Sequence, residues 1–169
     1  MVAAQAFATA SDLFASAHDT RSLLRGTAEA LAAAPGAMCL VSLADGEVLR
    51  PYTVAHRSQH ASRRLRRIVA EAGASSADAF SRSVQRNAGS LRMSIGSTRL
   101  LRLWLPQAYW SYVDHVHVRE VVAAALAQQG QVLGTVLLWR ESGQSAYSRE
   151  DQAYVQAVAA RVSMGLSFT

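Results

Sequence analysis

VREVVAAALAQQGQVLGTVLLW, residues 118 to 139, is the stretch on which the fold of this chain turns. Two apolar runs, 121–127 and 132–139, flank a short polar interval centred on Gln129-Gly130. Gly accepts the positive φ that a two-residue hairpin turn demands, so the pattern predicts two long strands joined there. Each run is far shorter than the about 20 apolar residues that span a bilayer. Soon afterwards comes YSREDQAYVQAVAARVSMGL, residues 147 to 166. Ser148, with Asp151 three positions on, forms a capping box. Tyr154, Val155, Val158, Val162 and Leu166 then keep a helical apolar stripe.

Working outward, residues 4–17 are Ala-rich, with Phe7, Phe14 and Ala17 on one helical face. Asp19 or Thr20 caps a second helix, whose Leu23, Leu24, Thr27 and Leu31 hold the 3.6 period until Pro35-Gly36 stops it. The compact run 38–43 ends at Asp45-Gly46, a strong hairpin signal, and 47–56 returns as its partner. Pro51 in that return implies an edge position or a bulge. Residues 58–72 predict a helix with Leu65, Ile68, Val69 and Ala72 inward and Arg63, Arg64, Arg66 and Arg67 around the rest. A Gly-Ala-Ser-Ser break at 73–76, a short helix at 77–85 and a short strand at 91–95 follow. Residues 100–112 form an aromatic helical insertion, with Trp104, Tyr109, Trp110 and Tyr112, broken by Pro106. The sum is an α+β sandwich: helices at both ends around a mainly antiparallel sheet.

The 169 residues suit one domain, 1–169, that can bury a core, and half of them are apolar. Ala15-Ser16-Ala17 resembles a signal-peptidase site. No basic residue precedes it, however, and Asp12 interrupts the apolar stretch, so a signal peptide is rejected. The single cysteine, Cys39, excludes a disulfide framework and a Cys-cluster metal site. Together these features lead us to expect a cytoplasmic protein. All seventeen basic residues are Arg, which with the abundant Ala suggests a GC-rich bacterial genome. Residues 50–102 hold eleven Arg against Glu71 and Asp78, a balance of +9, while the remainder sums to −4. The last helix shows no stop signal before Ser167, as a piece of a longer protein would.

The layout resembles a GAF domain over roughly residues 12–166. Val118-Arg119 followed by Val121-Val122-Ala123 is similar to the family's strand leading into its usual Val-Pro-Leu. Gly130 with Val132-Leu133-Gly134-Thr135-Val136 is similar to its G-x-(V/I)-(I/L)-G-x-(L/V) hairpin, and Tyr147-Ser148-Arg149-Glu150-Asp151 to its (F/Y)-(S/T)-x-E-D helix start. Leu105-Pro106, with Tyr109 and Tyr112, is similar to a variant common in bacterial sensor kinases and phosphatases. Ala125 stands where the family usually has Pro, and Glu120 where Ser is common. The resemblance implies a central antiparallel sheet with terminal helices on one face and a helical insertion on the other. It also implies a regulatory domain of a signalling protein, with a small molecule held between sheet and insertion and terminal helices that pair with a second copy.

Several chemistries are disfavoured by the residues themselves. Methionine sulfoxide reduction needs a second thiol to recapture a sulfenic acid, and only Cys39 exists. Bilin attachment needs a thiol within 90–115, which has none. The Asn-Lys…Phe…Asp-Glu signature of the family's cyclic-nucleotide domains is out of reach of a chain without Lys. There is no G-x-S-x-G motif and no paired-carboxylate spacing. His115-x-His117 offers half a metal site that nothing nearby completes. A haem ligand among His56, His60, His115 and His117 is a lesser alternative. No cofactor and no catalytic residue are assigned.

The candidate pocket comprises Trp104, Tyr109, Trp110 and Tyr112 as an apolar wall with polar tips. Arg92 and Arg99 stand ready to hold a carboxylate or phosphate, with His115 and His117 at the rim. Plain core packing of the aromatics and a solvated basic surface are the competing readings. The expected partners are therefore an unidentified, preferentially anionic small molecule and a second copy of the chain through the terminal helices. No membrane contact is expected. The Arg63-Arg64-Leu65-Arg66-Arg67 run lacks interleaved aromatics and a recognition-helix partner, which disfavours nucleic acid. A ligand-free homodimerisation or interaction module remains the alternative to a sensor.

Overall fold

The long hairpin is the spine of the sheet. The computed structural model describes residues 1–72, 78–87 and 89–166. In it β4 (Val118–Gln128) and β5 (Gln131–Glu141) pair antiparallel with Gln128 opposite Gln131. The two loop residues, Gln129 and Gly130, both sit at positive φ (50° and 81°), as a type I′ turn requires. β1 (Met38–Asp45) joins the free edge of β5, β2 (Val48–His56) joins β1, and β3 (Ser90–Ser94) joins β4. The order is β2-β1-β5-β4-β3, antiparallel throughout.

Alternation along the strands sorts the side chains onto two faces. Cys39, Val41, Val122, Ala124, Leu126, Val136 and Leu138 face α1 (Val2–Ser16), α2 (Thr20–Ala33) and α7 (Arg149–Met164). Met38, Leu40, Val121, Ala123, Ala125, Leu137 and Trp139 face the other way, under α3 (Gln59–Ala72), α4 (Ala79–Asn87), α5 (Thr98–Trp104) and α6 (Trp110–Val116). The terminal helices and the helical insertion thus occupy opposite faces, the architecture the resemblance implied.

Local chemistry sets the boundaries. Asp19 accepts from the Ser22 amide at 2.7 Å while the Ser22 hydroxyl accepts from the Asp19 amide, closing a capping box at α2. Ser148 and Asp151 do the same for α7. Pro51 satisfies both expectations at once: β2 is an edge strand, and the register slips between Val41 and Ser42. Pro51 faces Ser42 and Thr53 faces Val41, leaving Tyr52 as the bulged residue. Gly134 must be glycine because a Cβ there would collide with the Ser42 carbonyl across the β1–β5 ladder.

Some details differ from the sequence reading. The first hairpin loop is Gly46-Glu47, since Asp45 already pairs with Val48. In α1 the buried residues are Ala6, Ala10 and Leu13, while Phe7 and Phe14 are 61% and 39% exposed. Small residues let α1 lie close on its neighbours, the Phe7 ring is turned outward, and the Phe14 ring lies at the surface against Gly165. α7 does have a stop: it ends at Met164 with Gly165 at its C-cap. A Cβ on Gly165 would meet Phe14 at 2.5 Å and Leu23 at 2.8 Å. The break at 73–76 and residue 77 lie outside the described residues. The insertion is α5, a 3-10 turn (Gln107–Tyr109) and α6, because Leu105 before Pro106 is forced extended (φ −102°, ψ 146°). Among the described residues, no helix is long and apolar enough to cross a membrane.

Candidate functional site

The insertion packs on the sheet through Leu65 and Ile68 of α3, Phe80 and Val84 of α4, and Leu101, Leu105, Tyr109 and Tyr112 of the aromatic segment. What sets this interface apart is its polar content. Ser42 Oγ, Thr135 Oγ1, Tyr109 Oη and Trp139 Nε1 are buried and make no hydrogen bond to any described residue. All four belong to this side of the sheet: Ser42 and Thr135 follow Met38-Leu40 and precede Leu137-Trp139 in the same alternation, and they face each other across β1–β5. Beside them β4 presents only Ala123 and Ala125. Among the described residues, Tyr147 Oη is the one buried polar atom without a partner on the terminal-helix side. A buried polar group left unpaired costs about 1–3 kcal/mol, so four on one side of the sheet against one on the other is a marked asymmetry.

A satisfied network closes one end of the same interface. Glu141, at the end of β5, accepts from His56 Nε2 at 3.0 Å and from the Tyr112 hydroxyl at 3.1 Å. The Ser58 amide donates to His56 Nδ1 at 2.9 Å, which leaves Nε2 to donate to Glu141. Burial pushes the Glu141 carboxyl up, but the donors from His56 and Tyr112 outweigh it and hold the group below its usual range. Trp139 Nε1 is near enough to add to that effect without the geometry of a hydrogen bond. The Tyr112 ring lies 5.9 Å from that of Trp139, and the Arg64 guanidinium covers it at 5.3 Å. Burial, with Glu141 beside it, raises the Tyr112 phenol. At the other end Asp78, 2% exposed, accepts from the Ser81 amide at 2.7 Å and from its hydroxyl at 2.9 Å. Burial raises this carboxyl despite those bonds, and burial together with Asp78 raises the Tyr109 phenol.

The residues singled out from sequence divide in the fold. Tyr109 and Tyr112 are buried in the interface. Trp104 is half-buried, its ring edge-on to Phe80 at 5.1 Å. Trp110 sits at the rim, its Nε1 donating to the Arg102 and Leu105 carbonyls at 3.1 Å. Arg99, His115 and His117 are exposed, and His115 Nδ1 donates to the Ser111 carbonyl at 2.6 Å. His117 ends α6 in the left-handed region (φ 50°). Arg92 is not brought together with the others. It pairs with Val122 in register, which turns it to the terminal-helix face, where it donates to the Tyr147 carbonyl at 2.6 Å. There it joins Glu120, which accepts from the Tyr147 amide, and Arg140, stacked on the Tyr147 ring at 4.3 Å. Glu120, the family departure, is thus a clasp for the segment leading into α7.

Sequence reasoning missed Ser42, Asp78, Thr135 and Glu141. Ser42 and Thr135 were legible as hydroxyls at inward positions of apolar strands. Glu141 and Asp78 left no signal beyond being lone acids at the ends of apolar or basic runs. Among the described residues no three His, Cys, Asp or Glu side chains group to hold a metal. His56 has both ring nitrogens engaged, and His60 is exposed like His115 and His117.

In sequence the chain matches the GAF domain family over residues 19–166. No curated protein matches it. Among solved structures it is similar to the GAF domain of a phosphoenolpyruvate-protein phosphotransferase from Acinetobacter, at TM-score 0.70 and 11% identity, covering 96% of this chain and 90% of that one. It is similar to the corresponding domain from Coxiella burnetii at TM-score 0.69 and 11% identity, covering 98% and 94%. A type II free methionine-R-sulfoxide reductase from Thermoplasma acidophilum matches at TM-score 0.56 and 11% identity, covering 86% and 93%. At such identities these likenesses show the fold alone.

Proposed function

The chain belongs to the GAF domain family, regulatory and sensory domains of signalling proteins, and from that premise we propose that it senses a small molecule between sheet and insertion. The observation that carries this reading is the set of four unpartnered buried polar atoms on that one side, at Ser42, Tyr109, Thr135 and Trp139. They offer three hydroxyls and one indole donor, over a floor of alanine and leucine, to a ligand with an apolar body and a few polar atoms. A ligand that prefers one packing of the insertion shifts the population of that packing, and the change passes to the terminal helices and a signalling output. The reading includes no catalysis. Cys39 is buried, burial pushes its thiol up, and the sequence holds no second thiol.

A metabolite panel screened by thermal unfolding tests the proposal, because a ligand of the native state must raise Tm. A stabilising compound is expected, its effect lost in Tyr109→Phe and Thr135→Val. If no compound stabilises the protein and mass spectrometry finds nothing released on denaturation, the sensor reading fails.

A second reading has its own support. Phe7, Phe14 and Met164 are exposed on α1 and α7, with Arg161 lying over the Phe7 ring at 5.8 Å. Apolar rings turned outward on the terminal helices fit a homodimer through that face. Sedimentation of the wild type as a dimer and of Phe7→Glu as a monomer is the expected result, and a monomeric wild type at high concentration rejects it.

A further inference from the structure

Positive charge gathers along one edge of the sheet. β2 is the terminal strand there, and α2 and α3 pack on it from opposite faces. Between them runs a cleft of about 850 Å³, lined by Arg21, Arg25 and Glu29 of α2, Arg50 and Tyr52 of β2, and Arg66 of α3. Arg21, Arg25 and Glu29 recur every fourth residue and so share one face of α2. At this spacing the like charges of Arg21 and Arg25 oppose each other slightly while Glu29 offsets Arg25, and Arg66 adds a further positive charge from the facing wall. Four guanidinium groups meet one carboxylate. Arg50 is paired with Asp45 at 2.7 Å, whereas Arg21, Arg25, Arg66 and Glu29 form no ion pair among the described residues.

Concavity distinguishes this from an ordinary solvated surface. Charges of one sign on the walls of a cleft focus the field and concentrate counter-ions within it. Its size falls within the roughly 300–1,000 Å³ of small-molecule sites. Guanidinium groups from two walls grip phosphate oxygens bidentately, and Tyr52, 42% exposed, adds a ring face. An added β-strand fits poorly. Pro51 offers no donor and the bulge at Tyr52 disrupts the edge, which are the devices that protect sheet edges from pairing.

We propose that this cleft is a second ligand site, separate from the interior one, for a small molecule bearing several phosphate charges held by Arg21, Arg25 and Arg66. α3 is a wall of both sites: Arg66 lines the cleft, Leu65 and Ile68 fill the interior interface, and Arg64 covers Tyr112.

Titration calorimetry of the full chain with tripolyphosphate, at constant ionic strength, tests this, with sulfate and a hexaglutamate peptide run in parallel. Tripolyphosphate is expected to bind at one site and to outcompete both controls. The double variant Arg21→Gln/Arg25→Gln should weaken it by about tenfold or more, as loss of charge-assisted hydrogen bonds implies. Arg66→Gln on the opposite wall should weaken it too, which provides an independent variant if α2 is perturbed. Arg119→Gln, an exposed arginine of β4 outside the cleft, should leave affinity unchanged. Absence of binding overturns the proposal, as does equal weakening by Arg119→Gln, the mark of diffuse charge. Preferential binding of hexaglutamate overturns it in favour of an acidic protein segment.

Discussion

The two faces of this sheet are built from the same strands yet obey different rules. On the terminal-helix face most polar groups are used, the Tyr147 hydroxyl excepted: Thr27 donates to the Leu23 carbonyl at 2.8 Å, Ser163 donates to the Ala127 carbonyl at 2.7 Å, and Glu120, Arg92 and Arg140 hold the Tyr147 backbone and ring. The helices there are long, two of them closed by capping boxes, and packed on small residues such as Ala6, Ala10 and Gly165. On the insertion face one long helix, α3, is joined by the short α4, α5 and α6, and four buried polar atoms stand without partners among the described residues. One face is a scaffold, and the other keeps unspent hydrogen-bonding capacity. A protein can tolerate that cost only where it serves binding or where selection has not removed it.

Adjacent leucines on β5 sharpen this contrast most strongly. Leu138 points to the helix face and Leu137 to the insertion, both essentially inaccessible. Leu138→Ala should cost about 4 kcal/mol by urea unfolding, near the upper range for such truncations. Leu137→Ala should cost nearer 2 kcal/mol, since the short α4 that packs on β5 can settle into the space. Equal costs would erase the distinction between scaffold and adaptable cover.

Gly165→Ala probes the scaffold alone. Its new Cβ must displace the ends of the Phe14 and Leu23 side chains, an overpacking penalty of about 1 kcal/mol because the Phe14 ring can give at the surface, while ligand response on the other face stays intact. An effect of similar size comes from two threonines. Thr135→Val removes an unpaired buried hydroxyl and should be neutral or stabilise by about 1 kcal/mol, whereas Thr27→Val removes a paired one and should cost about 1 kcal/mol. Denaturant midpoints of the two variants decide the matter, and a loss at both would mean that Thr135 is already satisfied.

The smallest expected effects are pH slopes. Glu141 has its folded value depressed, so the stability it contributes is full above the ordinary 4.5 and disappears as pH falls through the lower folded value. Wild type should therefore lose ground to Glu141→Gln on acidification. Asp78 has its folded value raised, so its contribution is present below the ordinary 3.8 and lost as pH rises through the higher value. Wild type should gain on Asp78→Asn as pH falls. Parallel slopes for the two variants would contradict the opposite environments of these acids.

Much of the fold was legible because local signals were mutually consistent. Gln129-Gly130 between two apolar runs, the Ser148–Asp151 cap and Asp19 ahead of a periodic helix each specify an element within a few residues. The candidate site was legible only in part. Tyr109 and Tyr112 stood out as aromatics in the insertion, but Arg92 faces the other way because one residue of register on β3 reverses a side chain. Phe7 and Phe14 share one helical face in the sequence, yet the close contacts of α1 bury Ala6 and Ala10 instead.

Caps, turns and periodicity act over a few bonds, and so the principal elements, their order and the family are already written in the amino-acid chain. Tertiary structure alone decided which hydroxyls of the hairpin and insertion would be buried without partners, and that Arg21, Arg25 and Arg66 would face one cleft. Those outcomes depend on register and on packing between segments far apart in the chain, and no local pattern encodes them.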